Sequence, residues 1–192
     1  MERKLASKFY INSLEEDIYQ NRQKTLLLVV DEQPKLMKTM ENGEKTVTNT
    51  LTLLKAFKEY DMNYLATEQY PKGLGRSDDR LLELIEEDKI FAKSLFDAAI
   101  PEVVDFIEKK DIKKVLVVGA EGHVCIYQTV RSLLDMGLEV FLVEDAVSSF
   151  TEELKATALT SLGQMGAVLV NTEMVLSTCL INSSFSMSFE QV

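Results

Sequence analysis

The sequence predicts an α/β protein with a three-layer, Rossmann-like fold: a six-stranded parallel sheet in the order 3-2-1-4-5-6, with helices on both faces. Short, unbroken apolar runs at residues 25–30 and 115–118 are typical of strands buried on both sides of a parallel sheet. Segments with helical spacing of apolar residues alternate with such runs along the chain. This alternation implies parallel strands that are joined by right-handed crossovers.

Each element follows from its own local pattern. The predicted strands cover residues 25–30, 62–67, 90–96, 115–118, 138–143 and 167–170. The predicted helices cover residues 44–60, 101–110, a segment from 123 that ends before Gly137, 151–165 and 173–180, with a short helix or turn at 81–87.

The length of the chain suits one domain. It has 192 residues, 46% of them hydrophobic, which is enough for one sizeable core. We interpret residues 1–24 as an N-terminal arm or helix, 25–180 as the domain and 181–192 as a C-terminal tail. Nothing in the sequence repeats, and no linker is visible.

The composition limits the classes of binding partner and the cellular compartment that we expect. Lysine and arginine number 21 against 31 acidic residues, and this net charge of -10 argues against binding to nucleic acid. No apolar stretch approaches the ~20 residues of a membrane span. The two cysteines, Cys125 and Cys179, make no disulfide framework, which favours a reducing compartment such as the cytoplasm, and Cys179 is interpreted as a packing residue. The N-terminus lacks the apolar core of a secretory signal, while a mitochondrial location stays open.

Cys125 is the first candidate for chemistry. It follows a predicted central strand and a tight turn, in the first turn of a helix, where the helix dipole favours a thiolate. Most free cysteines are instead small buried hydrophobes. Its position alone leaves both interpretations open.

Asp31 and Lys93 are its candidate partners. Asp31 ends the first strand, where it could cap a helix or turn or could belong to an active site. In the predicted order strands one and four are neighbours, so Asp31 and Cys125 face one crevice. Lys93 lies in an apolar segment, either facing solvent from an edge strand or held beside Asp31 and Cys125, where its charge would favour the thiolate.

The loop at residues 68–75 is rich in turn-forming residues and could be a surface connection or the wall of a pocket. We favour the pocket wall. Residues of this loop and of the other candidate stretches are predicted to contact the substrate: Gln33, Glu68, Tyr70, Phe96 and His123.

Four stretches in this order resemble a known family: VVDEQ, TEQYPKGLG, FAKSLF and GAEGHVCIYQT followed by DAVSS. From about Leu26 to Leu176 the chain resembles the isochorismatase-like cysteine hydrolases, and most closely the isochorismatase domain-containing proteins of unknown substrate. The resemblance implies an Asp31–Lys93–Cys125 triad, a cis peptide between Ala120 and Glu121, and an oxyanion hole made by the backbone N–H groups of Glu121 and Cys125.

The resemblance also implies a homo-oligomer that acts on a small molecule without a cofactor. Nicotinamidases of the family bind a metal through one Asp and two His residues, whereas this chain has a single histidine, His123, so no metal is expected. The implied activity is hydrolysis of a small amide or related C–N bond through a thioester. Two alternatives remain: a catalytically idle protein that binds a ligand or partner, and a hydrolase of another bond, such as an ester, thioester or vinyl ether.

Overall fold

A computed structural model describes residues 21–180. Most of the predicted arm (residues 1–24) and all of the predicted tail (residues 181–192) lie outside this range. Its centre is a parallel sheet of six strands: β1 (Thr25–Val30), β2 (Asn63–Gln69), β3 (Ile90–Lys93), β4 (Lys114–Ala120), β5 (Glu139–Ser148) and β6 (Val168–Val170). Their order is β3-β2-β1-β4-β5-β6, which confirms the predicted fold class and strand order.

Five long helices cover the sheet: α1 (Gly43–Glu59), α2 (Pro101–Lys109), α3 (Tyr127–Asp135), α4 (Glu152–Met165) and α5 (Thr172–Leu180). Short helical turns occupy Pro34–Met37, Pro71–Leu74, Asp79–Leu82 and Glu87–Lys89. Within the described part of the chain, no helix is both long enough and apolar enough to cross a membrane.

The strand β1 is buried on both faces because alternate residues enter two separate cores. Leu27 and Val29 pack with residues of α1 and α5, while Leu26, Leu28 and Val30 pack with residues of α2, α3 and α4. Two-sided burial explains the unbroken apolar run in the sequence. It also fixes the position of the strand end, from which Asp31 follows.

The carboxyl ends of β1 and β4 approach each other unusually closely. Val30 pairs with Gly119, whose φ is 116°, and a Cβ on Gly119 would collide with the carbonyl oxygen of Val30. Only glycine fits such a contact and such a φ without strain. The peptide bond between Ala120 and Glu121 is cis, as the family resemblance implied.

The segment after β4 differs from the sequence prediction. Gly122–Ile126 forms a π-helical turn, and the α-helix begins only at Tyr127. The carbonyl oxygen of Glu121 accepts hydrogen bonds from the N–H groups of Val124 and Ile126, at 3.0 and 3.1 Å, which widens the turn. Cys125 therefore lies in a π turn rather than in the first α-helical turn. Such turns are rare and often occur at functional sites.

Candidate active site

Asp31 is held rigidly at the end of β1. Its φ of 57° is in the left-handed region, and its N–H donates to the carbonyl oxygen of Thr67 at 3.1 Å. The hydroxyl of Thr67 donates to Asp31 Oδ1 at 2.9 Å, and the aspartate is completely buried. An uncommon backbone conformation enforced by its surroundings is typical of functional sites.

Lys93 ends the edge strand β3 but points into the protein, so the solvent-facing alternative is wrong. Its Nζ lies 2.6 Å from Asp31 Oδ2, and neither side chain is exposed. The ammonium group donates to Gln69 Oε1 at 2.7 Å, to the carbonyl oxygen of Leu95 at 3.1 Å and to that of Phe96 at 3.0 Å. Four oxygen atoms thus surround the ammonium group, three of them neutral acceptors and the fourth the Asp31 carboxylate, whose contact is the shortest.

Cys125 lies beside this pair and is only 2% exposed. The charges of Asp31 and Lys93 both act on the pKa of its thiol, in opposite directions. The hydroxyl of Thr129 donates to the carbonyl oxygen of Cys125 at 2.7 Å, which anchors the π turn to α3. Asp31, Lys93 and Cys125 therefore form one buried cluster, although the first and the last of them are 94 positions apart in the sequence (125 minus 31).

The sulfur of this cluster is a thiol at rest. Burial raises the pKa of Cys125 to about 12, the charge of Asp31 adds to this effect, and Lys93 opposes it. Burial also raises the pKa of Asp31, against the opposing influence of Lys93. The expectation of an ionised sulfur was wrong for the resting state, because desolvation and the nearby carboxylate outweigh the ammonium group.

Glu121 and His123 flank the cysteine on the same turn. Their side chains expose 15% and 23% of their surface, and His123 Nε2 lies 3.9 Å from Glu121 Oε2. Burial raises the pKa of Glu121, His123 opposes this effect, and the charge of Asp31 adds to it. The imidazole also packs against the ring of Phe150, with 5.8 Å between the centroids.

Gln33 and Glu68 hold the loop that follows β2. The amide of Gln33 donates to the carbonyl oxygens of Gln69 and Gly75, at 3.0 and 2.6 Å, and accepts from the N–H of Gln69 at 2.8 Å. Glu68 Oε1 accepts from Arg76 Nε at 2.9 Å and from the N–H and hydroxyl of Ser77. Both side chains are buried, and their predicted contact with substrate stays a prediction.

Tyr70 and Phe96 stand at the outer edge of the cluster. They are 58% and 51% exposed, and neighbouring Leu95 is 68% exposed. The N–H of Tyr70 donates to the carbonyl oxygen of Lys93 at 2.8 Å, which ties the loop to the lysine. Their position suits an entrance, and their contact with substrate also stays a prediction.

Sequence reasoning missed Thr67 and Gln69, which position Asp31 and Lys93. Both are polar residues at the end of an otherwise apolar strand, and this was the available signal. No group of three or more His, Cys, Asp or Glu residues suited to a metal ion occurs between residues 21 and 180.

Comparison with known proteins identifies the family of the chain. Residues 25–174 match the isochorismatase domain. The chain belongs to the isochorismatase domain family. Isochorismatase family protein 1A of Dictyostelium discoideum is 33% identical over 156 residues, which cover 79% of this chain and 76% of that protein. The chain is thus a member of the isochorismatase-like hydrolases.

Two solved structures of the isochorismatase-like fold illustrate its range. The MAR1 ribonuclease from Caenorhabditis elegans is 34% identical, with a TM-score of 0.80, and the match covers 85% of this chain and 84% of that one. The YcaC gene product of Escherichia coli, described as an octameric hydrolase of unknown specificity, has a TM-score of 0.76 at 23% identity, over 82% of this chain and 79% of that one. The second likeness concerns the fold alone.

Proposed function

We propose that this protein hydrolyses a small amide or related C–N bond through a thioester on Cys125. Asp31 is the acid and base, and Lys93 balances its charge. The observation that carries the proposal is the burial of these three side chains in one cluster, with Lys93 Nζ 2.6 Å from Asp31 Oδ2 and the Cys125 thiol close enough for both charges to act on its pKa. A nucleophile, a base within reach and an orienting group are what covalent catalysis requires.

The first half of the reaction forms the thioester. Asp31 takes the proton of the Cys125 thiol while the sulfur bonds to the substrate carbonyl carbon, so no free thiolate has to accumulate. The raised pKa of Asp31 favours this transfer, because it makes the carboxylate a stronger base. The backbone N–H groups of Glu121 and Cys125 bind the oxyanion. The C–N bond then breaks, and Asp31 gives the proton to the leaving nitrogen.

The second half releases the acid. A water molecule attacks the thioester carbonyl carbon while Asp31 takes one of its protons. The C–S bond breaks, and the proton returns from Asp31 to the sulfur of Cys125. Through both halves Lys93 keeps its three neutral acceptors and stays beside Asp31, so the buried carboxylate retains a counter-charge.

A panel of small neutral amides tests the proposal by release of ammonia or amine. We expect turnover by the wild type, a loss of at least ~10³-fold in Cys125→Ala and Asp31→Asn, and unchanged turnover in the matched control Cys179→Ala. A thioester trapped by rapid acid quench should add the acyl mass to the Cys125 peptide. Full turnover by Cys125→Ala on a confirmed substrate would refute the mechanism.

The name of the MAR1 ribonuclease raises a second candidate, cleavage of RNA. The net charge of -10 opposes it, because phosphate contacts dominate RNA binding. In addition, the ammonium protons of Lys93 already have acceptors within the protein. We therefore expect no RNA cleavage that disappears in Cys125→Ala; cleavage that is lost in this variant would favour the nuclease.

A catalytically idle protein is the remaining alternative and predicts no turnover of amides, esters, thioesters or vinyl ethers. We also propose that the chain forms a homo-oligomer, since the related YcaC is octameric. Light scattering after size exclusion measures this directly, and a mass of one 21.7 kDa chain at micromolar concentration would contradict it.

A further inference from the structure

Six buried side-chain atoms lack hydrogen-bond partners among the described residues. Besides Asp31 Oδ2, Glu32 Oε2 and Ser148 Oγ, they are Glu121 Oε2, His123 Nδ1 and Ser149 Oγ, and these last three are considered together because they lie close to one another. Ser149 itself is only 1% exposed. Buried polar groups are nearly always satisfied, so each exception requires an explanation, and a bound ligand is one that accounts for all three.

These atoms belong to one small region. Gly122 separates Glu121 from His123, and a Cβ on Gly122 would lie 2.7 Å from Ser149 Oγ. His123 Nε2 is 3.9 Å from Glu121 Oε2, and the imidazole packs on Phe150, the residue after Ser149. The turn Gly122–Ile126, which carries His123, also carries Cys125.

The charges of this region favour an uncharged ligand. The charge of Asp31 acts on the carboxyl group of Glu121 and raises its pKa, while His123 lowers it. Lys93 balances Asp31, but its ammonium protons are engaged within the protein by Asp31 Oδ2 and by the acceptors on Gln69, Leu95 and Phe96. A ligand carboxylate would therefore meet carboxyl groups without an available ammonium proton, whereas an N–H group would find acceptors.

We propose that Glu121, His123 and Ser149 form a polar subsite that binds an uncharged group with N–H donors, such as a primary carboxamide, and disfavours carboxylates. Glu121 Oε2 accepts an N–H of the ligand, while His123 Nδ1 and Ser149 Oγ bind its remaining polar atoms. The inference rests on the proposed function in that it names the substrate class of the same cleft. It makes Glu121 a specificity-determining residue through its side chain.

Alkylation of Cys125 by iodoacetamide and by iodoacetate tests this subsite without any turnover. Both reagents form the same S–C bond and expel iodide, but one carries a carboxamide and the other a carboxylate. Because both attack the same sulfur, its pKa cancels in the ratio of their rates. We measure both rates by mass spectrometry of the Cys125 peptide and, as reference, on N-acetylcysteine amide.

We expect the ratio of the iodoacetamide rate to the iodoacetate rate to exceed that of the reference thiol at least ~10-fold, the size expected for one nearby charge. Glu121→Gln keeps the shape and removes the charge, so the iodoacetate rate should rise severalfold and the ratio should fall. Ser149→Ala should slow iodoacetamide only. The exposed residue Glu59 supplies the matched control, Glu59→Gln, which should leave both rates unchanged.

A ratio equal to that of the reference thiol, or one that Glu121→Gln leaves unchanged, would overturn the subsite. Resistance of Cys125 to both reagents would overturn it too, because the subsite is proposed to admit the carboxamide. Neither result touches the hydrolase proposal, which depends on turnover. Conversely, charge-selective alkylation without turnover of any amide would refute the hydrolase and leave the subsite standing.

Discussion

Lys93 Nζ lies 2.6 Å from Asp31 Oδ2 at a place where neither side chain has contact with solvent. Their two charges are therefore maintained by each other and by a few hydrogen bonds, since burial of an uncompensated charge is costly. Changes to this pair, or to the groups that hold it, should alter the chemistry of Cys125 in directions that can be measured.

The first prediction concerns Asp31→Asn. Burial and the charge of Asp31 both raise the pKa of Cys125, and Lys93 lowers it. Removal of the carboxylate should therefore move the pKa of the thiol below about 12, while turnover falls because the base is lost. Iodoacetamide alkylation followed from pH 6 to pH 12 measures the pKa; an unchanged or higher midpoint would contradict the assignment of Asp31 as the group that keeps the sulfur protonated.

The second prediction concerns Gln69, which accepts from Lys93 Nζ at 2.7 Å and donates to the carbonyl oxygen of Ser94. Gln69→Leu leaves one ammonium proton without this acceptor. We expect kcat to fall ~10-fold or more with KM within about threefold, since Gln69 positions the lysine. Gln128→Leu, at an exposed site on α3, is the control. A rise of KM alone would place Gln69 in substrate binding instead.

The third prediction compares two glycines with positive φ. Gly119→Ala should lower the free energy of unfolding by ~3 kcal/mol or more, because the new Cβ meets the Val30 carbonyl oxygen and φ is strained. Gly137→Ala has the strain but open space around the new Cβ, so ~1 kcal/mol is expected. Urea denaturation measures both. Equal losses would show that the contact between β1 and β4 is not tight.

The fourth prediction concerns Glu32, whose carboxyl is buried and accepts from the hydroxyl of Thr50 at 2.5 Å. Burial raises the pKa of Glu32 from 4.5 to about 8. Between these values the folded protein holds a proton that the unfolded chain releases, so stability should fall as pH rises from about 4.5 to about 8.

Glu32→Gln removes this dependence. At pH 8 the variant should be more stable than the wild type by several kcal/mol, since one pKa unit corresponds to about 1.4 kcal/mol, and the two proteins should converge near pH 4.5. The exposed Glu173→Gln is the control. Parallel stability curves for Glu32→Gln and wild type across this range would refute the raised pKa.

Much of the fold was predictable because buried parallel strands and amphipathic helices have distinct periodicities. The apolar runs of β1 and β4 identified the centre of the sheet. Because the two strands are neighbours, the residues that follow them, Asp31 and Cys125, lie close together. The π turn could not be read from the sequence, because it depends on the carbonyl oxygen of Glu121 accepting two bonds. The limits of the domain at residues 25 and 180, and the cytoplasmic location, stay predictions.

The sequence predicted the charged residues of the candidate site, but it did not predict the residues that position them. An aspartate, a lysine and a cysteine at strand ends carry a chemical signal, whereas Thr67 and Gln69 resemble ordinary polar residues. Gln33 and Glu68 were predicted to contact substrate on similar grounds, and the structure shows their polar atoms bonded to the following loop. The direction in which a polar side chain points is set by its loop, which local sequence does not encode.

The surroundings of Lys93 include the carbonyl oxygens of Leu95 and Phe96, whose side chains face outward. A main-chain carbonyl oxygen is present whichever side chain its residue carries. Positions 95 and 96 can therefore diversify during evolution, and so retune which molecules gain entry, while the electrostatic setting of the lysine is inherited intact.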